Sequence, residues 1–313
     1  MPALSFRHLL DADQIKKSDI EKLIPLADKY RSTDPKKLLD EGVCRGYILA
    51  ALFFEPSTRT RFSFETAMLK LGGQLITSEQ GSASSSATKG ETLSDMARMM
   101  NSYADLIVMR HPAIGSVAEF AKYSTVPVIN AGDGANQHPT QSLVDIYTIF
   151  CEKNRLNNLR IGILGDLKYG RAARSLLTVL SNYSKNHFVL ISHPSLALEN
   201  KKKKELQKSN STVEETTNLK AALKDLDILY VTRVQKERFS SEKEYDKVKN
   251  AYQVNKKILA AAPKDMIILH PLPRVNEIDH EVDALPQAKY FKQAEYGLYI
   301  RMALLSLMKK QSA

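Results

Sequence analysis

The chain has 313 residues, with 45 lysines and arginines against 35 aspartates and glutamates, a formal charge of +10. That length exceeds one ordinary hydrophobic core, so two domains are expected; 43% hydrophobic and 26% charged residues are the balance of a soluble globular protein. Only two cysteines occur, Cys44 and Cys151, with no CxxC and no Cys/His cluster, which argues against a disulfide framework and a structural zinc site and fits a reducing cytoplasm.

The opening stretch, "MPALSFRHLLDADQIKKSD", lacks the apolar run of roughly 7–15 residues that marks a signal peptide. The longest apolar run, "YILAALFF" at 47–54, is far short of the ~20 residues that span a bilayer. From there apolar runs and helical stripes alternate. Residues 47–55 read as a buried strand, and Phe64, Ala67, Met68 and Leu71 fall at helical spacing. A short strand follows at 72–78, then a polar loop of small residues at 82–90, "SASSSATKG". Leu93, Met96, Ala97 and Met100 stripe another helix; 105–110 is a strand, "IGSVAEFAKYS" a helix and 126–130 a strand. A helix opens near Pro139, striped by Leu143, Ile146, Tyr147 and Phe150. Strands at 160–166, 188–192, 227–232 and 265–270 follow with helical segments between, and Ile300, Ala303, Leu304 and Leu307 stripe a terminal helix. This alternation predicts an α/β fold of two doubly wound, parallel-sheet domains, divided near the helix at 139–152.

The excess positive charge has two readings, a nucleic-acid surface and a chain whose substrates are anions. The densest cluster, "KKKKELQKS" at 201–209, carries no interleaved aromatics and reads as the solvated end of a surface helix. The arginines instead sit singly at predicted strand ends, where ligands bind in open α/β sheets. The first strand is followed by Ser57, Thr58, Arg59 and Thr60, and the strand at 105–110 by Arg110 and His111. "GDGANQHPTQ" follows 126–130, Arg171 follows 160–165, Arg233 and Gln235 follow 227–232, and Pro271 and Leu272 follow 265–270. No strand end carries paired carboxylates or a nucleophile with its base, so the pattern is one that holds negative charge. In "EPSTRTR", Pro56 and Ser57 are expected to start a helix, with Ser57 capping. Its first turn offers free N–H groups, the positive end of the dipole, hydroxyls and the fork of Arg59, a set that suits phosphate. Arg61 is expected to hold the loop through a carboxylate such as Glu55. His138, ahead of Pro139, is placed to polarise a carbonyl as a neutral donor. "IGILGDLKYGR" lacks the second close glycine of a dinucleotide fingerprint, and His193 rather than an acid follows the next strand.

Seven ordered motifs carry a resemblance: "FFEPSTRTRFSFE", "SATKGET", "VMRHP", "NQHPTQSLVDIYT", "GDLKYGR", "YVTRVQKERF" and "ILHPLPRVNEI". Together they resemble the aspartate carbamoyltransferases, in particular their catalytic chain, over residues 45–305. The resemblance implies transfer of the carbamoyl group of carbamoyl phosphate to L-aspartate, the committed step toward pyrimidines, with no metal and no organic cofactor. It implies that Ser57, Thr58, Arg59 and Thr60 bind the phosphate, that Arg110 bridges phosphate and carbonyl oxygen, and that Thr60 and His138 reach that oxygen. Gln141 would lie beside the carbamoyl amine; Arg171, Arg233 and Gln235 would hold the aspartate carboxylates; the backbone of Pro271 and Leu272 would line the site near the two nitrogens. Ser85 and Lys89 would come from a neighbouring subunit, which implies a cytoplasmic homotrimer with shared sites; regulatory chains are candidate further partners, nucleic acid and membrane are not. The implied domains are 1–137 for carbamoyl phosphate and 138–290 for aspartate, with a C-terminal helix at 291–313 packing back onto the first, and the charged loop 233–253 closes over aspartate in the family. The nearest alternative, ornithine carbamoyltransferase, shares the STRTR and HPTQ segments but has H-C-L-P where this chain has His270-Pro271-Leu272-Pro273. A different class, a basic nucleic-acid-binding protein, would show a salt-sensitive gel shift. A catalytically dead relative is disfavoured because no polar position of the set is replaced.

Overall fold

The structure, a computed structural model, describes residues 3–79, 90–207, 210–234, 239, 241–248 and 251–309. Ser85, Lys89 and Gln235 lie outside the described residues, as do most of the 82–90 loop and part of the 233–253 loop. Two compact units divide the chain: unit 1 is Met1–Val144 with Glu295–Ala313, and unit 2 is Asp145–Ala294.

In unit 1, α1 (Lys17–Ser32) and α2 (Pro35–Glu41) lead into β1 (Ile48–Phe53), α3 (Thr58–Lys70), β2 (Gln74–Glu79), α4 (Leu93–Met100), β3 (Leu106–His111), α5 (Ser116–Ala121) and β4 (Val128–Asp133). The strands form one parallel sheet in the order β2-β1-β3-β4. β1 and β4 are buried almost end to end, which a parallel strand requires when helices cover both faces. Ala50, Leu52, Ile107 and Met109 pack with Met96, Ala97 and Met100 of α4 and Val117 and Phe120 of α5, while α3 packs on β1 and β2. Burying each large apolar side chain of this kind contributes about 2 kcal/mol.

α6 (Pro139–Lys153) spans the division between the units. Unit 2 continues with β5 (Arg160–Leu164), α7 (Arg171–Leu180), β6 (His187–Ile191), α8 (Asn200–Gln207), β7 (Thr212–Thr216), α9 (Leu219–Ala222), β8 (Ile228–Val231), α10 (Glu242–Asp246), α11 (Lys256–Leu259) and β9 (Ile267–Leu269). Its parallel sheet runs β7-β6-β5-β8-β9. α12 (Tyr290–Met308) closes the described chain; its stripe residues Ile300, Ala303, Leu304 and Leu307 are all buried, and Tyr30 of α1 hydrogen-bonds Ser306 at 2.8 Å. No helix among the described residues is long and apolar enough to cross a membrane.

The fold class is the expected α/β pair of parallel sheets, with one strand that the sequence pattern did not announce. β7, Thr212–Thr216, is a sheet edge with only Val213 apolar and three of five residues exposed. An edge strand facing water on most sides has no hydrophobic run to betray it. The lysine run lies as expected on a short exposed helix, α8, where Lys202 pairs with Glu205 and Lys203 with Glu215.

In both sheets the order reverses at one place, between β1 and β3 and between β5 and β8. A crevice beyond the carboxyl ends of the strands forms at such a reversal. At the second, Gly165 has φ +115°, and a Cβ there would lie 2.2 Å from the Thr232 carbonyl oxygen. Gly165→Ala is therefore expected to destabilise the protein by about 3–5 kcal/mol, combining backbone strain with overpacking. A fall in the urea midpoint at unchanged m-value checks it; an unmoved midpoint would mean that the strand ends separate freely.

Candidate active site

At the first reversal the chain leaves β1 and turns at once into α3. Phe53 pairs with Arg110 in register, and the Phe54 N–H donates to the Arg110 carbonyl at 2.9 Å. The segments carrying Arg59 and Arg110 are thereby anchored side by side. Ser57 occupies the N-cap position, but its hydroxyl makes no capping bond. The expected cap is thus absent, and the hydroxyl stays available along with the first-turn N–H groups. Thr60 is buried and Thr58 exposed.

The charges follow an arrangement that differs in one respect from expectation. Glu55 Oε2 accepts from Arg110 Nε at 3.0 Å and from Nη2 at 2.9 Å. Arg61 instead lies 3.8 Å from Glu65, one helical turn on. Helical i, i+4 proximity decides this, and Glu55, adjacent to the end of β1, faces the neighbouring strand end. Arg110 is largely buried, and that burial, outweighing Glu55, draws its guanidinium below the ordinary range; Arg59 adds repulsion. Arg59 is exposed and has no carboxylate partner among the described residues; partial desolvation lowers its pKa also. Two guanidiniums that repel each other, only one of them paired with a carboxylate among the described residues, make a site that gains energy from a doubly charged anion.

The loop after β4 is organised by the buried Asp133. Its Oδ1 accepts from Asn130 Nδ2 at 3.0 Å and the Gln137 N–H at 3.1 Å; its Oδ2 accepts from the Gly115 N–H and Asn136 Nδ2, both at 3.0 Å. That scaffold delivers His138, buried, immediately before α6. Its Nδ1 lies 3.5 Å from Thr140 Oγ1, and its carbonyl accepts from the Gln141 N–H at 2.9 Å. Arg110 Nη1 reaches the Ala131 carbonyl at 3.5 Å. Ser57–Thr60 thus follow the carboxyl end of β1, Arg110 lies at that end of β3, His138 follows the loop after β4, and Gln141 is in the first turn of α6.

Unit 2 repeats the principle with different residues. Thr232, at the end of β8, donates its N–H and its hydroxyl to the Leu164 carbonyl at 2.8 and 3.1 Å, and its Oγ1 accepts from the Asp166 N–H at 3.1 Å. Asp166 Oδ1 in turn accepts from the Tyr169 N–H at 2.8 Å, folding the turn that places Arg171 at the start of α7. Gly170 permits the turn, since a Cβ there would meet the Asp166 carbonyl oxygen at 2.1 Å. Arg233 follows Thr232 directly. Arg171 and Arg233, both half-buried, therefore stand at the β5/β8 reversal.

Beyond β9, Pro271 and Leu272 form a turn with Leu272 at φ +53°, a left-handed conformation costing about 1–2 kcal/mol for a leucine. Sequence reasoning did not find what holds it. The Leu272 N–H donates to His270 Nδ1 at 2.8 Å, and His270 Nε2 lies 2.7 Å from Glu277 Oε1. The His270 N–H donates to Gln293 Oε1 at 2.9 Å; Gln293 Nε2 donates to Asp145 Oδ1 at 2.6 Å, and the Tyr230 hydroxyl to Asp145 Oδ2 at 2.8 Å. The one sequence signal was polar residues at otherwise apolar positions of α6, β8 and α12.

Two family models match the chain in succession: the carbamoyl-P binding domain of aspartate/ornithine carbamoyltransferase over residues 7–150, and the Asp/Orn binding domain over 157–308. The chain belongs to the aspartate/ornithine carbamoyltransferase family. Within that family, the aspartate carbamoyltransferase catalytic subunit of Clostridium kluyveri is 50% identical over 303 residues, covering 96% of this chain and 97% of that protein. The Clostridium botulinum counterpart is 49% identical over 304 residues, 97% and 98% of the two chains. Among solved structures, the catalytic subunit of M. jannaschii aspartate transcarbamoylase superposes with a TM-score of 0.88 at 45% identity, covering 97% of this chain and 98% of that one. The Trypanosoma cruzi aspartate transcarbamoylase in complex with carbamoyl phosphate and aspartate gives 0.88 at 35% identity, with the same coverage. Each of these relatives is an aspartate enzyme.

Next to the Pro271–Leu272 turn, Arg274 grips Asp283, with Nη2 to Oδ2 at 2.6 Å and Nη1 to Oδ1, and Tyr290 hydrogen-bonds both residues. The Arg274 hydrogen bond is the main cause that holds the Asp283 carboxyl at about 2, below its ordinary 3.8. A depressed folded-state pKa gives stability that is present above 3.8 and is lost as pH falls toward 2. The stability gap between the wild type and Asp283→Asn is therefore expected to be constant at neutral pH and to close across that acid window. Denaturant midpoints from pH 7 downward to pH 2 check it; a gap unchanged down to pH 2 would contradict it.

Proposed function

We infer that the chain transfers the carbamoyl group of carbamoyl phosphate to the amine of L-aspartate, giving N-carbamoyl-L-aspartate and phosphate, an early committed step of pyrimidine synthesis. What carries this reading is two arginine pairs, each where a parallel sheet reverses its strand order, in a chain half identical to relatives named for that reaction. Arg59 and Arg110 suit a phosphoryl group, and Arg171 and Arg233 suit a dicarboxylate. Ornithine, whose side chain ends in an ammonium group, would be repelled by the second pair.

In this reading residues 1–137 hold carbamoyl phosphate and 138–290 hold aspartate, with residues 291–313 belonging to the first domain. The phosphate accepts from the N–H groups and hydroxyls of Ser57, Thr58 and Thr60 and from Arg59 and Arg110. Arg110, Thr60 and His138 draw electrons from the carbamoyl oxygen, and Gln141 accepts from the carbamoyl amine. Arg171, Arg233 and Gln235 fix the two carboxylates of aspartate, while the backbone of Pro271 and Leu272 accepts from the attacking amine and the carbamoyl nitrogen. The neutral amine attacks the carbamoyl carbon; a C–N bond forms, the C–O bond to phosphate breaks, and the amine proton leaves with phosphate. Orientation and stabilisation of the tetrahedral oxyanion and departing phosphate supply the acceleration, with no metal and no cofactor. Mass-spectrometric detection of N-carbamoyl-L-aspartate tests the reading; intact carbamoyl phosphate with no such product would overturn it.

Ser85 and Lys89 serve a neighbouring subunit's site, which makes the active species a homotrimer. Mixtures of two inactive variants, Lys89→Ala and Arg59→Ala, are then expected to regain activity, because some sites in mixed trimers receive both intact residues. Mixtures as inactive as their components would contradict shared sites. The name "catalytic subunit" of the relatives supports regulatory chains as further partners. Cys44 and Cys151 form no disulfide among the described residues, which fits a cytoplasmic place.

A further inference from the structure

The Pro271–Leu272 turn bears carbonyls, not side chains, as its working groups, so its function depends on backbone geometry alone. A leucine at φ +53° does not hold that geometry by preference. The nearest fixed group is the imidazole of His270, 1% exposed, whose Nδ1 accepts the Leu272 N–H at 2.8 Å. Because Nδ1 is an acceptor, the ring proton sits on Nε2 and is donated to Glu277 Oε1 at 2.7 Å. Glu277, 7% exposed, is itself fixed: its Oε2 accepts the Val275 and Asn276 N–H groups, both at 3.1 Å. The His270 backbone is locked separately through Gln293 and Asp145. Burial pulls the imidazole below its ordinary pKa, and its hydrogen bonds hold the Glu277 carboxyl below its own despite burial, so the pair is a neutral ring on a carboxylate.

We propose that His270 and Glu277 are positioning residues for carbamoyl transfer: the carboxylate orients the imidazole, and the imidazole, through the Leu272 N–H, aims the Pro271 and Leu272 carbonyls at the reacting nitrogens. The inference rests on the carbamoyltransferase reading above. Neither side chain touches substrate. Their effect is on the alignment of the amine with the carbamoyl carbon, and a misplacement of about 1 Å there costs on the order of 100-fold in rate.

Three substitutions separate this role from simple packing. His270→Ala removes the acceptor for the Leu272 N–H. His270→Asn restores one, since its Oδ1 takes the place of Nδ1, although it loses Glu277. His270→Gln does the reverse: it reaches Glu277 in place of Nε2 and leaves the Leu272 N–H without its acceptor. The measurement is kcat and both KM values for phosphate release with aspartate, alongside thermal unfolding of each variant. His270→Ala and His270→Gln are expected to lose about 100-fold in kcat with KM for carbamoyl phosphate within about threefold, while His270→Asn stays within about tenfold of wild type. If the alanine variant does not fold, the Gln–Asn contrast decides alone. The proposal is overturned if His270→Gln keeps kcat within about threefold of wild type, or if all variants lose activity only in proportion to their folded fraction. Turnover by the wild type with these outcomes rejects the inference and leaves the enzymatic reading standing; no turnover by the wild type rejects both.

Discussion

Arg59→Ala is expected to abolish turnover nearly completely while leaving the protein as stable as before. Arg59 is exposed, has no carboxylate partner among the described residues, and repels Arg110. Removing it breaks no ion pair and relieves a like-charge contact, so the unfolding midpoint should stay the same or rise slightly. The transition state loses a forked donor to the departing phosphate, and loss of one such donor raises a barrier by about 3–4 kcal/mol, roughly 10²- to 10³-fold in kcat. Steady-state kinetics beside a denaturant curve checks both halves. Near-normal kcat would remove Arg59 from the phosphate grip, and a large stability loss would mean that it holds the fold.

Arg233→Ala is expected to act on the other substrate. Its position is fixed by Thr232, whose two bonds to the Leu164 carbonyl leave the next residue at the β5/β8 reversal. A charged hydrogen bond to a carboxylate is worth about 1.5–3 kcal/mol, so KM for aspartate should rise by roughly 10- to 150-fold. Carbamoyl phosphate, which the proposed reading assigns to residues of the other unit, should keep its KM within about threefold. Equal loss for both substrates would mean that Arg233 supports the fold of unit 2 rather than a carboxylate.

Both expectations draw on features that were legible in the sequence, because parallel α/β sheets write themselves plainly. A strand buried on both faces is apolar throughout, as β1 is, and a ligand must sit beyond strand ends, so a cation after "LAALFF" or "ILYV" is already a positional statement. β7 was invisible for the converse reason: an exposed edge needs no apolar run. Side-chain pairing was read less well. Glu55 was expected on Arg61 and takes Arg110, since sequence proximity says nothing of which strand end lies alongside. Ser57 was expected to cap and does not, because the capping bond depends on a rotamer that residue type leaves open. The His270–Glu277–Leu272 chain needed coordinates altogether: its members fall within eight residues, but Gln293, Asp145 and Tyr230 join them only once β8, α6 and α12 have packed.

The most direct test of the whole account is phosphate release from carbamoyl phosphate with L-aspartate and with L-ornithine as separate acceptors. Saturable turnover is expected with aspartate and none with ornithine, since two guanidiniums at the Arg171 and Arg233 positions would favour a second carboxylate over an ammonium. Turnover with ornithine alone would contradict the carboxylate clamp while leaving the phosphate grip intact, and no turnover with either would contradict the carbamoyltransferase reading itself.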